Sequence, residues 1–156
     1  MKALIVYATK HGATKQIAEQ LAEYLGGADL VDVGAGETAS LTEYDCVLLG
    51  SPLTAGSIRK EVKAFAQQHA GELGGKRLGL FISGLQGEEE ESYFRQNFSP
   101  ELLAAARAKA FLGGVFDPAK CGFVARKIIK AVAKLEGYTN TIDPARVEAF
   151  ARELAR

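Results

Sequence analysis

The sequence predicts an α/β domain, a doubly wound five-stranded parallel sheet with helices on both faces. Three features of the chain point there. Short apolar runs alternate with stretches whose apolar residues recur at the helical period. The runs are apolar on both faces, as strands buried on two sides are. Three of them end in glycine, serine and threonine, at the sheet edge where such folds hold ligands. At 156 residues, 47% of them hydrophobic and 24% charged, the chain suits one core, and residues 1–156 are read as a single domain.

The first run, Ala3-Leu4-Ile5-Val6-Tyr7-Ala8, passes into Thr9-Lys10-His11-Gly12-Ala13-Thr14. Ala13, Ile17, Leu21 and Leu25 then share one helix face, which Gly26-Gly27 closes. Asp29-Leu30-Val31-Asp32-Val33 alternates and suits a sheet-edge strand. Cys46-Val47-Leu48-Leu49-Gly50 is a second buried run; it leads into Ser51-Pro52-Leu53-Thr54-Ala55-Gly56-Ser57 and an amphipathic helix on Ile58, Val62 and Phe65. Leu78-Gly79-Leu80-Phe81-Ile82 is the fourth strand, followed by Ser83-Gly84-Leu85-Gln86-Gly87 and the acidic run 88–91. Ser99-Pro100 opens a helix as N-cap and first residue. Ala110-Phe111-Leu112-Gly113-Gly114-Val115 is read as the fifth strand, residues 123–135 as a basic amphipathic helix, and Asp143-Pro144 as the start of the last helix.

Charge and cysteine usage bound the chemistry. Nineteen basic residues balance nineteen acidic ones, which gives no sign of a nucleic-acid partner. Cys46 and Cys121 form no C-x-x-C pair, so no metal site is indicated, and Cys46 reads as an inert core thiol in a reducing cytoplasm. No run reaches membrane-spanning length.

The segment 9–14 carries the sharpest chemical signal. The first amides of a helix lack intrahelical partners and lie at the positive end of its dipole. Thr9 and Thr14 add hydroxyls, and Gly12 admits a close ligand, which makes a cradle for a phosphate. The plainer alternative is that Thr9 only caps the helix. Neither G-x-G-x-x-G nor a P-loop motif follows the first strand. The acidic residues of a receiver domain and the loop cysteine of a low-molecular-weight phosphatase are also missing.

In these residues the chain resembles the flavodoxins. Thr9-x-x-Gly12-x-Thr14 is similar to their loop for the FMN phosphate. Gly50-Ser51-Pro52-x-x-x-Gly56 and Ser83-Gly84-x-x-Gly87 resemble the two loops that hold the isoalloxazine ring. Within that superfamily the resemblance is nearest to the branch of menaquinone-dependent protoporphyrinogen dehydrogenases, through Tyr44-Asp45-x-Val47-x-x-Gly50-Ser51, Gly113-Gly114, Thr139-x-Thr141 and Phe150-Ala151-Arg152-Glu153. Leu53, Thr54, Ala55 and Leu85 stand where flavodoxins usually present a ring to the flavin, and the loop after the fourth strand is shorter and more acidic than in that branch.

The resemblance implies FMN as cofactor. Thr9, Gly12, Thr14 and the amides around Ala13 would take the phosphate, with Lys10 and His11 pointing outward. Ser51, Pro52, Leu53, Thr54, Ala55 and Gly56 would border the flavin edge, Gly56 following the state of N5. Ser83, Gly84, Leu85, Gln86, Gly87 and Glu88 would hold the pyrimidine end. The acidic run either tunes the flavin or is simply solvated. The implied function is electron transfer with redox partner proteins or a quinone. The alternatives are a quinone-dependent protoporphyrinogen IX dehydrogenase and a flavin-free interaction domain. Arg126, Lys127, Lys130 and Lys134 would give peripheral contact with the inner face of a membrane, unless that helix simply packs with its lysines solvated.

Overall fold

In the computed structural model, which describes residues 1–120, 122, 123, 127, 130 and 137–156, β1 (Ala3–Tyr7) is buried along its whole length. Neither of its faces meets water. Leu4, Val6 and Ala8 join one apolar cluster, and Ala3, Ile5 and Tyr7 join the other. The pleat therefore sorts a single run of side chains into two cores.

Around β1 lie β2 (Asp29–Asp32), β3 (Cys46–Thr54), β5 (Arg77–Ser83) and β6 (Ala106–Phe111), all parallel, in the order β2-β1-β3-β5-β6. A two-residue strand, β4 (Ser57–Ile58), turns back antiparallel onto β3. Helices α1 (Ala13–Tyr24) and α6 (Pro144–Ala155) cover one face with Ile17, Leu21, Val147, Phe150 and Leu154. The other face is covered by α2 (Lys60–Gln68), α3 (Ala70–Gly74), α4 (Glu90–Asn97) and α5 (Pro100–Ala105), through Val62, Phe65, Leu73, Phe94 and Leu102. This is the predicted doubly wound five-stranded fold. Strand order reverses between β1 and β3, so the carboxyl ends of those strands frame the ligand crevice.

The expected caps are in place. Ser99 accepts the Leu102 amide at 3.2 Å and Asp143 accepts the Ala145 amide at 3.0 Å, each ahead of a proline in the first turn. Cys46 is buried, which pushes its thiol up to about 11 and keeps it protonated. Gly50 leaves room for the Phe81 ring, whose nearest atom would stand 2.0 Å from a β-carbon there.

Three boundaries differ from the sequence reading. The fifth strand begins at Ala106 rather than Ala110 and stops at Phe111, leaving Leu112, Gly113 and Gly114 in a turn. Alanine alternating with Arg107 and Lys109 resembles a helix surface in sequence, yet here it forms a charged edge strand. Val33 opens a 3-10 turn fixed by the Asp32 side chain rather than ending β2. Residues 51–54, expected as loop, continue β3 into a hairpin with β4.

Beyond β6 the chain makes an excursion. It leaves as β7 (Val115–Phe116) and returns as β8 (Thr139–Asn140), paired antiparallel. The basic helix expected over 123–135 lies largely outside the described residues, as do Cys121, Arg126 and Lys134. Phe123, Lys127 and Lys130 are exposed, with the Lys127 ammonium 4.6 Å from the Phe123 ring centre. No helix among the described residues is long and apolar enough to cross a membrane.

Candidate functional site

The crevice begins where β1 hands over to α1. Gly12 is the N-cap of α1 at φ 98°, a conformation that favours glycine. The first intrahelical bond runs from the Gln16 amide to the Gly12 carbonyl at 3.0 Å, so the amides of Ala13, Thr14 and Lys15 open into the loop without intrahelical acceptors. No side chain caps the helix, and its first turn carries no acid. Thr9 is not the helix cap. Its hydroxyl accepts the Gly12 amide at 2.9 Å and shapes the turn before the helix. Lys10 and His11 are exposed and Ala13 is half-buried. An oriented, uncapped set of amides with a neighbouring lysine suits a dianionic phosphate.

Thr14 is 1% exposed, and its hydroxyl lies 2.7 Å from that of Ser83, itself 1% exposed. This bond ties the first loop to the end of β5. Next to it, Pro52 pairs with Ser83 in the sheet, so the ends of β3 and β5 are adjacent. Lys10 of the first loop and Thr54 and Ser57 of the hairpin line one cavity of about 310 Å³, with Arg59 and Lys60 of the α2 entry. The three segments singled out in the sequence therefore converge on one edge.

The β3–β4 hairpin turns on Ala55 at φ 50° and Gly56 at φ 81°, the paired left-handed geometry that matches strand twist. Ala55 is the one non-glycine residue with positive φ among the described residues, at a cost of about 1–2 kcal/mol. Thr54 and Ala55 are exposed, while Pro52, Leu53 and Gly56 are half-buried. Ser51 is wholly buried, and its hydroxyl is committed inward: it accepts the Arg59 amide at 2.8 Å and donates to the Pro52 carbonyl at 2.9 Å. It supports the loop from behind.

The third loop rests on residues far away in sequence. The Gly84 amide donates to the Gly113 carbonyl at 2.9 Å. A β-carbon on Gly114 would stand 2.7 Å from the Gly84 carbonyl oxygen, and one on Gly113 2.2 Å from that of Thr141. The Thr141 hydroxyl accepts the Gly114 amide at 3.0 Å, so the excursion returns directly beneath the loop. Phe111 packs under Gly84 and Gly87, with Tyr93 6.3 Å from it, centre to centre. Leu85 is half-buried; Gln86 and Glu88 are exposed.

The acidic run divides. Glu88, Glu89 and Glu91 face solvent, whereas Glu90 accepts the Phe111 amide at 2.7 Å and pairs with Arg146 at 3.5 Å. It thus closes the loop onto β6 and α6. Among the described residues no group of three or more His, Cys, Asp or Glu side chains is placed to hold a metal.

Sequence reading missed two supports. Asn97 bonds to the Gly56 carbonyl in the hairpin turn and to the Ile58 amide in β4 just beyond it. Its signal was available, because Phe94, Asn97 and Phe98 sit at i, i+3 and i+4 and put an amide on the buried face of α4. Gly113-Gly114, read from sequence as the end of the fifth strand and as part of the resemblance, carries no local signal for its role as the seat of Gly84.

A family model described as Flavodoxin domain matches residues 4–143. Over 178 aligned residues the chain is 27% identical to a protein of Escherichia coli K12 named protoporphyrinogen IX dehydrogenase (quinone), covering 99% of this chain and 95% of that one. Among solved structures it is similar to oxidised Flavodoxin 2 from Bacillus cereus, with a TM-score of 0.63 at 20% identity over 99% and 98% of the two chains. It is similarly close to the flavodoxin of Streptococcus pneumoniae TIGR4, with a TM-score of 0.62 at 20% identity over 99% and 98%. These two likenesses establish the fold.

Proposed function

Because the chain belongs to the flavodoxin domain family, we propose that it binds FMN and passes electrons between redox partners in the cytoplasm. When bound, FMN supplies the redox chemistry, taking up and releasing electrons at its ring. The protein holds it. The amides of Ala13, Thr14 and Lys15, with Thr9 and Gly12 shaping the turn, receive the phosphate at the open end of α1. Residues 53–56 border the ring on one side, and Gly84, Leu85, Gln86 and Gly87 take its pyrimidine end.

The observation that carries this reading is the uncapped start of α1 facing the joined ends of β3 and β5. Calorimetric titration of the apoprotein with FMN tests it, with riboflavin as control. Two charge-assisted bonds to the phosphate, worth about 1.5 kcal/mol each, make riboflavin bind on the order of 100-fold more weakly. Equal affinities, or no binding of FMN by folded protein, sink the proposal. The absence of flavin absorption after reconstitution would instead support the flavin-free interaction domain.

A second reading is favoured by the near-complete overlap with the Escherichia coli relative: oxidation of a porphyrinogen with transfer of electrons to a quinone. Anaerobic turnover of protoporphyrinogen IX with a menaquinone analogue decides it, and no turnover by FMN-loaded protein rejects it. The excursion fits a docking role, since exposed Phe123, Lys127 and Lys130 lie on it and its base supports the third loop. Replacing Lys127 and Lys130 by Gln should weaken sedimentation with anionic vesicles; unchanged sedimentation removes membrane contact from the reading.

A further inference from the structure

We propose that Asn97, the last residue of α4, is a positioning residue for the flavin edge: it ties the Gly56 carbonyl to α4 and so sets how readily the bound flavin is reduced. The inference rests on the FMN reading above.

Asn97 is 7% exposed and its amide is fully engaged by backbone. Nδ2 donates to the Gly56 carbonyl at 2.9 Å and to the Tyr93 carbonyl at 2.8 Å, while Oδ1 accepts the Ile58 amide at 3.0 Å. The orientation of the amide follows from these partners, because the reverse would set an oxygen against two carbonyls. The Tyr93 bond belongs to α4 itself. The other two reach 41 and 39 residues back, to Gly56 in the turn and to Ile58 in the strand that leaves it.

That turn is the part of the site best able to change shape. Glycine at 56 allows its flanking peptides to rotate, and Ala55 beside it holds a left-handed conformation that an L residue avoids. A β-carbon at Gly56 would find only the Gln96 side-chain oxygen, 3.9 Å away. Of the two faces of the Gly56 peptide, Asn97 engages the carbonyl and draws it toward the protein.

The consequence is electrostatic. Flavin N5 is a hydrogen-bond acceptor when oxidised and carries a proton when reduced. A main-chain carbonyl turned to N5 favours the reduced form, and an amide N–H favours the oxidised one. To offer its carbonyl to the flavin, Gly56 must give up a buried bond to Asn97. Asn97 therefore biases the site toward oxidised flavin.

The test compares the FMN-reconstituted parent with Asn97→Ala, Asn97→Ser and Asn97→Asp, following FMN affinity, the one-electron midpoint potential and amide exchange of residues 55–58 in the apoprotein. In Asn97→Ala the ratio of reduced to oxidised flavin at a fixed potential is expected to rise about tenfold, a shift of about 59 mV to more positive values for one electron. Oxidised FMN should bind within about threefold of the parent. The Asp variant keeps the acceptor for Ile58 but opposes both carbonyls, so it should shift the potential in the same direction. Exchange at Gly56 and Ser57 in the apoprotein should quicken in all three.

A purely structural role would weaken both redox states alike and leave the potential where it was. That result, a negative shift, or unchanged exchange overturns the proposal. If Asn97→Ala does not fold, the Ser and Asp variants give the same readouts. A parent that does not bind FMN overturns both this inference and the reading under it, whereas a parent that binds while the variants keep its potential overturns Asn97 alone.

Discussion

The first loop and the two loops proposed to border the flavin ring, the ring-side loops, are held in opposite ways. Residues 9–14 organise themselves: Thr9 bonds to Gly12 three residues on, and the helix that follows supplies the open amides. Thr14 also bonds to Ser83, in a distant part of the chain. The hairpin turn and the third loop are seated instead on Asn97, Glu90, Phe111, Gly113, Gly114 and Thr141, all from later in the chain. On the proposed reading, the contrast follows from what each would grip. A phosphate needs local backbone polarity, which one strand-to-helix turn provides. A flat ring needs two walls at a fixed spacing, and only packed elements hold that spacing.

Substitutions separate the two modes. Gly113→Ala should do the most harm: its β-carbon meets the Thr141 carbonyl at 2.2 Å and its φ of 91° disfavours any L side chain. We expect a loss of about 3 kcal/mol in urea unfolding. A loss under about 1 kcal/mol would mean that the seat of the third loop yields easily.

Ala13→Asp probes the self-organised side. A carboxylate in the first turn of α1 sits where the phosphate is read to bind, and FMN affinity should fall about 100-fold, on the scale of a charge pair a few ångströms apart in a partly wet site. Stability should hold or rise by about 0.3–1 kcal/mol, because the acid meets the helix dipole. Unchanged affinity would move the phosphate elsewhere.

Thr14→Val keeps the shape and removes the link between the two sides. Unfolding should show a loss of about 1–2 kcal/mol, since the Ser83 hydroxyl is left buried without this partner. Glu90→Ala should cost about 1 kcal/mol: it frees the Phe111 amide, while the half-exposed pair with Arg146 adds little. If FMN affinity drops with Glu90→Ala as far as with Ala13→Asp, the division between the loops does not hold.

Much of the fold was legible because the relevant signals are local. Short apolar runs such as 3–8 and 46–50 read as strands buried on both faces, and Ser99-Pro100 and Asp143-Pro144 announce helix starts with their own capping atoms. The fifth strand was misplaced because Ala106–Phe111 carries the composition of a helix surface and becomes a strand only by pairing with β5. The segment 51–57 carried the right residue types but not its shape, since the hairpin exists through β4 and the Asn97 clamp.

Residue order alone specified the alternation of strand and helix and the two-sided burial of the sheet, because each depends on neighbours within a few positions. It left open whether Thr9 caps the first helix, and the structure shows that helix start uncapped. Tertiary packing decided that Ser51 faces inward, that Thr14 reaches Ser83, that Glu90 leaves the acidic run to close a loop, and that Asn97 bonds to a turn 41 residues before it. The physical reason is that a hydrogen bond depends on distance in space. The partners of the ring-side loops become neighbours only after the sheet has formed and its helices have docked.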